Sequence, residues 1–283
     1  MKLPKTIKAL GLAGIVAASS LAYTGCVSPQ VEANGKIVAV KNNQDSYDNS
    51  SSHLTEQGID NMLQSAYKII SKAEYLAPGN NNKIVTIGAV GTGFVVKDSG
   101  DRQYILTCNH VVAWDDVTLH PVYGPVVLKN VRNYLEKDGT EYEVKLLDAD
   151  RNSDAAVLKT NEDLDLESRI QLADKPIKIG DRVLAVGFPL NIGKFMTEGV
   201  ISNVPSEETY LFYSAQIDPG YSGGPVFVLE HGVPRLAGLN RFMVRNSNGI
   251  FGATSVDYLK RLFENALTID SATDNKSHLY ISR

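Results

Sequence analysis

The most informative segment of the sequence is Asp218-Pro219-Gly220-Tyr221-Ser222-Gly223-Gly224-Pro225. Glycine and proline fill more than half of its positions, and this composition predicts a tight turn. A positive φ at Gly220, which glycine adopts without steric cost, would direct the N–H groups of Gly220 and Ser222 into one hollow. An isolated Ser-Gly-Gly is also typical of a plain hairpin turn, so the rest of the chain has to distinguish a structural turn from a reactive one.

A serine hydroxyl becomes an effective nucleophile only when other groups assist it. It needs a histidine to accept its proton, a carboxylate to orient the imidazole ring, and N–H groups to bind the oxyanion that forms. Of the five histidines, His110 follows the β-rich apolar run Tyr104-Ile105-Leu106-Thr107-Cys108 and precedes two valines. This pattern predicts a strand that ends in a short helical turn. The other four lie in polar or turn-like segments, at His53, His120, His231 and His278.

Asp154 is the best candidate for the carboxylate. It directly precedes the apolar run Ala155-Ala156-Val157-Leu158, which predicts a buried strand. Its side chain can therefore be held at the start of that strand, whereas Asp148 and Asp150 lie on a more polar approach. The candidates occur along the chain in the order histidine, aspartate, serine.

Four short blocks resemble, in the same order, the motifs of trypsin-like serine proteases. They are Gly-Thr-Gly-Phe at 91–94, Leu-Thr-Cys-Asn-His-Val-Val at 106–112, Asp-Ala-Ala-Val-Leu at 154–158 and Gly-Tyr-Ser-Gly-Gly-Pro at 220–225. Two further blocks, at 179–189 and 197–202, are most similar to the HtrA/Deg-type bacterial branch of that family. The resemblance extends from about residue 83 to residue 267. Each block is short and weak evidence alone, but the set in this order is specific for the trypsin-like family.

The resemblance implies a fold and a role for each candidate residue. The fold would be all-β, with two six-stranded antiparallel β-barrels, an N-terminal helix and a C-terminal helix. Ser222 would be the nucleophile, His110 the general base and acid, and Asp154 the group that holds the imidazole. The backbone N–H groups of Gly220 and Ser222 would form the oxyanion hole.

The resemblance also places a specificity pocket and shows where this sequence departs from the family. The pocket wall would come from Gln216, Ile217, Leu239, Asn240 and Arg241. The residue before the serine is Tyr221 instead of the more usual Asp or Asn, which leaves open an inactive resting state of the turn. Residues 268–283 are too few for a PDZ domain, so none is expected there. Trimers are common in this branch, but no motif here identifies the oligomeric state.

Composition and charge exclude several other classes. The chain has 283 residues, of which 43% are hydrophobic and 21% charged, and these values exclude a disordered, collagen-like or coiled-coil protein. A net charge of −4 argues against nucleic-acid binding. Two cysteines are too few for a disulfide-rich scaffold or a four-cysteine zinc site. We expect no metal ion and no cofactor, and we expect Cys108 to be a buried apolar side chain.

Residues 1–25 predict a secretory signal of the lipoprotein type. Lysines at positions 2, 5 and 8 precede an apolar run over 9–23, which is too short to span a bilayer. Thr24-Gly25-Cys26 then resembles a lipobox, although Tyr23 departs from the usual aliphatic residue. Lipidation of Cys26 would anchor the protein to a membrane, which would be the outer membrane if the cell has two. Ordinary signal cleavage near residues 18–22 is the alternative.

Sequence patterns divide the rest of the chain into several units. A polar stretch after Cys26 predicts a tether, and apolar residues at helical spacing between Ile59 and Ile70 predict a helix. Short β-rich runs separated by turn residues follow. The predicted units are a tether over 26–54, a helix over 55–78, a protease domain over 79–267 with barrel 1 at about 83–165, barrel 2 at about 170–254 and a helix at 256–267, and a tail over 268–283.

The resemblance implies a serine endopeptidase that acts outside the cytoplasm. It would hydrolyse unfolded or extended polypeptides through an acyl-enzyme intermediate, in envelope protein quality control. The alternative is a catalytically silent lipoprotein of the same fold that binds peptides or partner proteins. The complete set of histidine, aspartate and serine favours activity, whereas Tyr221 leaves room for the alternative.

Overall fold

The computed structural model describes residues 30–31, 37–38, 54–160, 164–166, 170–173, 175–205, 209–247 and 249–280. The predicted signal over 1–25 and the predicted lipidation site Cys26 lie outside these residues. Within the predicted tether, the described residues are Leu54 and two short strands, β1 (Gln30–Val31) and β2 (Ile37–Val38), which form an antiparallel pair. Among the described residues, no helix is long and apolar enough to cross a membrane.

The first barrel closes through strand β3, which pairs with a neighbour on each side. Its strands are β3 (Ala66–Ala77), β4 (Lys83–Lys97), β5 (Gln103–Thr107), β6 (Val117–His120), β7 (Gly124–Lys137), β8 (Thr140–Asp150) and β9 (Ala155–Thr160). Because β3 pairs with both β4 and β7, the order β3-β4-β5-β9-β8-β7 forms a ring, and β6 pairs with one end of β7. Phe94, Ile105 and Leu158 are completely buried in its core.

The second barrel is a closed ring in the order β10-β11-β12-β15-β14-β13. Its strands are β10 (Arg182–Gly187), β11 (Phe195–Asn203), β12 (Tyr210–Tyr213), β13 (Pro225–Glu230), β14 (Val233–Met243) and β15 (Phe251–Ser255). Val183, Tyr213 and Val226 are completely buried within it. The predicted fold of two six-stranded antiparallel barrels is confirmed.

Among the described residues, three α-helices accompany the barrels: α1 (Glu56–Ser65), α2 (Asn109–Val112) and α3 (Val256–Tyr280). The hydroxyl of Thr55 caps α1 by accepting a hydrogen bond from the N–H of Gly58 at 3.0 Å. The predicted N-terminal and C-terminal helices are both present, but their bounds differ from the prediction. The C-terminal helix does not end at 267, because no glycine or proline follows to stop it and Asp270 is buried against barrel 1.

The predicted helix over 55–78 is wrong in its second half, where residues 66–77 form β3. From Ile69 onward every second residue of β3 is buried, which is the period of a strand. Because the inward positions include Ser71 and Ala73, the apolar alternation is weak in the sequence, and Ala66, Ile69 and Ile70 fit a helical spacing equally well. Barrel 1 therefore begins at Ala66 and not near residue 83.

Asp270 ties α3 to the first barrel. Asp270 is 3% exposed, and its carboxylate accepts hydrogen bonds from Lys159 Nζ at 2.8 Å and from the Tyr104 hydroxyl at 2.9 Å. Burial alone would raise the pKa of Asp270, but the hydrogen bonds from Lys159 and Tyr104 and the charges of Lys159 and Arg102 together lower it. The charged form is thus the one that the folded protein stabilises.

Asp270→Asn is expected to lower the free energy of unfolding by about 2 kcal/mol at pH 7, because it removes charge-assisted hydrogen bonds from a buried group. A folded-state pKa below the unfolded value means that this contribution is present above about pH 4 and is lost as the pH falls through the folded pKa. Urea unfolding at pH 7 and pH 3 tests this, with Glu264→Gln, an exposed carboxylate on the same helix, as control. An equal deficit at both pH values would contradict the electrostatic explanation.

Candidate active site

The fold brings the three sequence-predicted residues to one region between the barrels. His110 lies on α2 directly after β5, and Asp154 lies directly before β9. Ser222 lies in the turn before β13, and its carbonyl accepts a hydrogen bond from the N–H of Thr92 at 2.8 Å. The turn thus packs against the barrel-1 strands that present the histidine.

His110 and Asp154 form a directly hydrogen-bonded pair. His110 Nδ1 lies 2.7 Å from Asp154 Oδ2, and the backbone N–H of His110 donates to Asp154 Oδ1 at 2.9 Å. The Asp154 side chain is 16% exposed, whereas the His110 side chain is 49% exposed. Asp154 has a φ of 53°, a value uncommon for a residue other than glycine, which its contacts to His110 hold in place. This arrangement fixes the ring through Nδ1 and leaves Nε2 to exchange a proton.

The turn around Ser222 is held by hydrogen bonds on both sides. The N–H of Tyr221 donates to Asp218 O at 3.0 Å, and the N–H of Gly224 donates to Tyr221 O at 2.8 Å. Gly220 has a φ of 107°, as its position in the sequence predicts. Among the described residues, the N–H groups of Gly220 and Ser222 have no acceptor, so both are available to a ligand.

Gly223 fits its position because a side chain has no space there. It has a φ of 87°, and a Cβ on this residue would overlap the carbonyl oxygen of Thr92 and the hydroxyl of Thr107. The Thr107 hydroxyl donates to that same carbonyl at 2.7 Å. The serine turn is thus seated directly on the strand that leads to His110.

Gly223→Ala is therefore expected to destabilise the protein by about 3 kcal/mol, combining backbone strain with overlap against fixed backbone atoms. Gly180→Ala is the matched control, since Gly180 has a φ of 92° but no atom within 4 Å of an added Cβ. Thermal unfolding of the two variants separates backbone strain, which both share, from steric overlap, which only Gly223→Ala introduces. Equal shifts in Tm for the two variants would contradict the close packing of the turn.

Tyr221, the main departure from the family motif, lies away from the site. Its side chain is 2% exposed in the core of barrel 2 and packs so closely on Gly187 that a Cβ there would overlap its ring. Burial raises the pKa of its hydroxyl. Tyr221 thus fills a space in the barrel and does not obstruct Ser222.

The five predicted pocket residues differ in their surroundings. Gln216 is exposed, whereas Ile217 is 6% exposed in the core of barrel 2 and Leu239 and Asn240 are completely buried. The Asn240 side chain accepts a hydrogen bond from the Tyr213 hydroxyl at 2.6 Å, so it serves the core. Leu239 and Asn240 can therefore line a pocket only through their backbone. The Arg241 guanidinium donates to Asn152 O at 2.9 Å and its Nε lies 3.8 Å from Asp154 Oδ2.

Cys108 is completely buried, as predicted, and its thiol donates to Asn240 O at 3.1 Å. Its sulfur, a ring nitrogen of His110 and a carboxylate oxygen of Asp154 lie within 4.8 Å of one another. Metal binding needs the thiolate, and burial together with the charge of Asp154 raises the pKa of Cys108 well above its ordinary value.

Thr92 also supports the serine turn, a role that the sequence motifs do not reveal although they contain this residue. Its hydroxyl donates to Gly220 O at 2.6 Å and accepts from the N–H of Phe188 at 3.1 Å. It thus joins the serine turn to the segment after β10. Its position between Gly91 and Gly93, where a bulky residue would not fit, is the signal that the sequence offers.

Two closed six-stranded antiparallel barrels, with the histidine–aspartate pair on one and the serine turn on the other, have the architecture of chymotrypsin-like peptidases. Residues 91–234, about half of the chain, match the family model for the trypsin-like peptidase domain, and the chain belongs to this family.

Curated relatives and a solved structure are similar to this chain. A probable periplasmic serine endoprotease, DegP-like, of Pseudomonas fulva (strain 12-X) is 30% identical over 203 residues, which are 69% of this chain and 38% of that protein. Its counterpart in Brucella suis biovar 1 (strain 1330) is 32% identical over 188 residues, 64% of this chain and 32% of that protein. The chain thus spans about a third of the length of these relatives. The resemblance to the HtrA/Deg-type branch is confirmed.

The serine endoprotease from Yersinia pestis superposes with a TM-score of 0.55 at 23% identity, over 75% of this chain and 66% of that one. At that identity the superposition supports the fold.

Proposed function

We propose that this protein is an extracytoplasmic serine endopeptidase that hydrolyses peptide bonds of unfolded or extended polypeptides. The observation that carries the proposal is the His110–Asp154 pair, with a distance of 2.7 Å between Nδ1 and Oδ2, beside a serine turn whose two N–H groups are available. A structural turn alone would not require a half-exposed histidine held by a partly buried carboxylate.

In this mechanism Ser222 Oγ attacks the carbonyl carbon of the scissile bond while His110 Nε2 takes the hydroxyl proton. Asp154 keeps the remaining proton on Nδ1 and stabilises the imidazolium that forms. The N–H groups of Gly220 and Ser222 bind the oxyanion of the tetrahedral intermediate. His110 then gives its proton to the leaving amine, which leaves an acyl-enzyme. A water molecule, deprotonated by His110, attacks the ester, and the carboxylic acid product departs as Ser222 recovers its proton.

Two independent observations support the proposed place of action. The relatives are named periplasmic serine endoproteases, and the lysine-rich start with the apolar run over 9–23 has the pattern of a secretory signal. Lipidation at Cys26 would hold the enzyme at a membrane surface, with substrates arriving as unfolded envelope proteins. Quality control of such proteins is the role that fits this location.

Specificity at the cleavage site would come mainly from the exposed amide of Gln216, with a smaller contribution from the apolar side chain of Ile217, which is 6% exposed. Both lie on the chain that runs from β12 into the serine turn. Together they favour an uncharged side chain of modest size. The Arg241 guanidinium contacts Asn152 O and Asp154, so its charge would affect the Asp154 carboxylate more than a side chain of the substrate.

Digestion of a denatured protein library tests the proposal and reports specificity in the same experiment. We expect new peptide termini with uncharged residues before the cut, together with covalent labelling of Ser222 by a fluorophosphonate. A folded, monodisperse protein that neither cleaves the library nor reacts with the reagent between about pH 6 and 9, where an ordinary histidine is neutral for at least part of the range, would instead favour the catalytically silent binding protein.

A further inference from the structure

The segment between β10 and β11 lies directly on the serine turn. The N–H of Leu190 donates to the carbonyl oxygen of Pro219 at 2.8 Å, and a Cβ on Gly220 would overlap the carbonyl oxygen of Phe188. Leu190 and Asn191 have φ values of 49° and 59° in the short 3-10 turn Pro189–Asn191. Asparagine tolerates such a value, but for Leu190 it is unfavourable and is held by the surroundings.

This contact determines where the N–H of Gly220 points. Pro219 C=O and Gly220 N–H belong to the same planar trans peptide group, so their bonds point in opposite directions. When Leu190 holds the carbonyl on one side, the N–H of Gly220 faces the other side, toward the hollow. If the contact were lost, the peptide could rotate and withdraw one of the two proposed oxyanion donors.

Two lysines connect this segment to the N-terminal part of the domain. Lys194 Nζ donates to the carbonyl oxygen of Leu63 in the last turn of α1, and it lies 5.8 Å and 5.5 Å from the ring centroids of Tyr67 and Phe188. Lys68 Nζ, on β3, donates to Asn191 Oδ1 at 3.0 Å.

Lys194 supplies a positive charge at the C-terminal end of α1. The last turn of α1 contains no basic residue, and a cation there stabilises a helix C-terminus. Lys194 is exposed overall, and partial desolvation lowers its pKa, which opposes the charged form. The hydrogen bond to Leu63 O and the contacts with the rings of Tyr67 and Phe188 are the interactions that favour the ammonium group at this place.

We propose that Lys194 is a positioning residue for the peptidase reaction. By binding the end of α1 it holds segment 188–194 on the Pro219–Gly220 peptide and keeps the N–H of Gly220 in the oxyanion hollow, with Lys68 as a second, weaker support. The role in catalysis rests on the proposed function, whereas the contact between the segments does not. Segments 56–65 and 188–194 thereby control the geometry of a turn to which neither contributes a reacting atom.

Lys194→Met tests this, because methionine keeps the apolar stem and removes the charge and the donor. Amide hydrogen exchange of peptides covering 188–194 and 218–223 is expected to accelerate in this variant. The acylation rate by fluorophosphonate, and kcat for a peptide, should fall about tenfold with little change in KM, less than the loss of a whole oxyanion donor. Lys194→Arg should retain most of both properties. Lys129→Met, at an exposed lysine of β7, is the matched control and should change neither.

Each result decides one part of the proposal. Unchanged hydrogen exchange in Lys194→Met would overturn the clamp, whether or not the protein is a peptidase. Faster exchange with unchanged acylation, or an effect on KM alone, would overturn the positioning role. Faster exchange in Lys194→Met, together with no acylation of the wild-type protein, would contradict the proposed function and leave the clamp supported. If Lys194→Met does not fold, Lys68→Met should show the same changes at smaller size, and its failure to do so would also overturn the clamp.

Discussion

Ser222→Ala is expected to reduce peptide hydrolysis by about 10⁶-fold, because removal of the nucleophile from such a triad disables all its members together. The turn should keep its shape, since its hydrogen bonds are made by backbone atoms: Thr92 N–H to Ser222 O at 2.8 Å and Gly223 N–H to Asn240 O at 2.8 Å. The variant should therefore unfold at the same temperature as the wild type and still bind an unfolded polypeptide. Loss of activity without loss of structure is the expected signature.

The measurement combines kcat/KM on a peptide identified from the library digest with fluorophosphonate labelling and a thermal unfolding curve. Ser247→Ala is the matched control, since Ser247 lies in a surface turn of barrel 2 and its hydroxyl donates only to Val244 O at 2.8 Å among the described residues. Wild-type activity in Ser222→Ala would exclude Ser222 as the nucleophile. An equal loss in the control would indicate damage to the fold.

The sequence predicts the parts of the site that are encoded locally. Ser222 and its glycines lie within one turn, and His110 and Asp154 each stand beside a single strand, so short motifs are enough to identify them. The side chains that support them are not predictable in this way. The Thr107 hydroxyl donates to the Thr92 carbonyl within barrel 1, and the Tyr213 hydroxyl donates to the Asn240 side chain within barrel 2, and each contact is made only when the strands of that barrel have come together.

The two largest differences from prediction have the same physical cause. Strand β3 is recognised only by its pairing with β4 and β7, residues up to about 70 positions away, because its inward side chains include serine and alanine. Tyr221 departs from the family motif, and its ring fits in barrel 2 only because Gly187 on β10 has no side chain. Likewise, the bond between Lys194 and Leu63 joins residues 131 positions apart. Non-local packing is what a single sequence leaves open.

Asp154→Asn is expected to reduce kcat by about 10⁴-fold while KM stays nearly constant, because the carboxylate orients the base and does not touch the substrate. The backbone N–H of His110 donates to Oδ1 at 2.9 Å, and this contact would hold the oxygen of the substituted amide in the same place. The amide NH₂ would then face His110 Nδ1, which lies 2.7 Å from Oδ2 in the wild type.

A donor in that position forces Nδ1 to be the acceptor, so the ring proton moves to Nε2 and the imidazole can no longer accept the proton of Ser222. Steady-state kinetics of Asp154→Asn against Asp115→Asn test this, because Asp115 is an exposed aspartate paired only with Arg151 among the described ion pairs. The fold should survive in both variants, since the change is isosteric. A loss of less than tenfold in Asp154→Asn would show that another group orients His110. The position of Arg241, whose Nε lies 3.8 Å from Asp154 Oδ2, could then not be explained by support of a catalytic carboxylate.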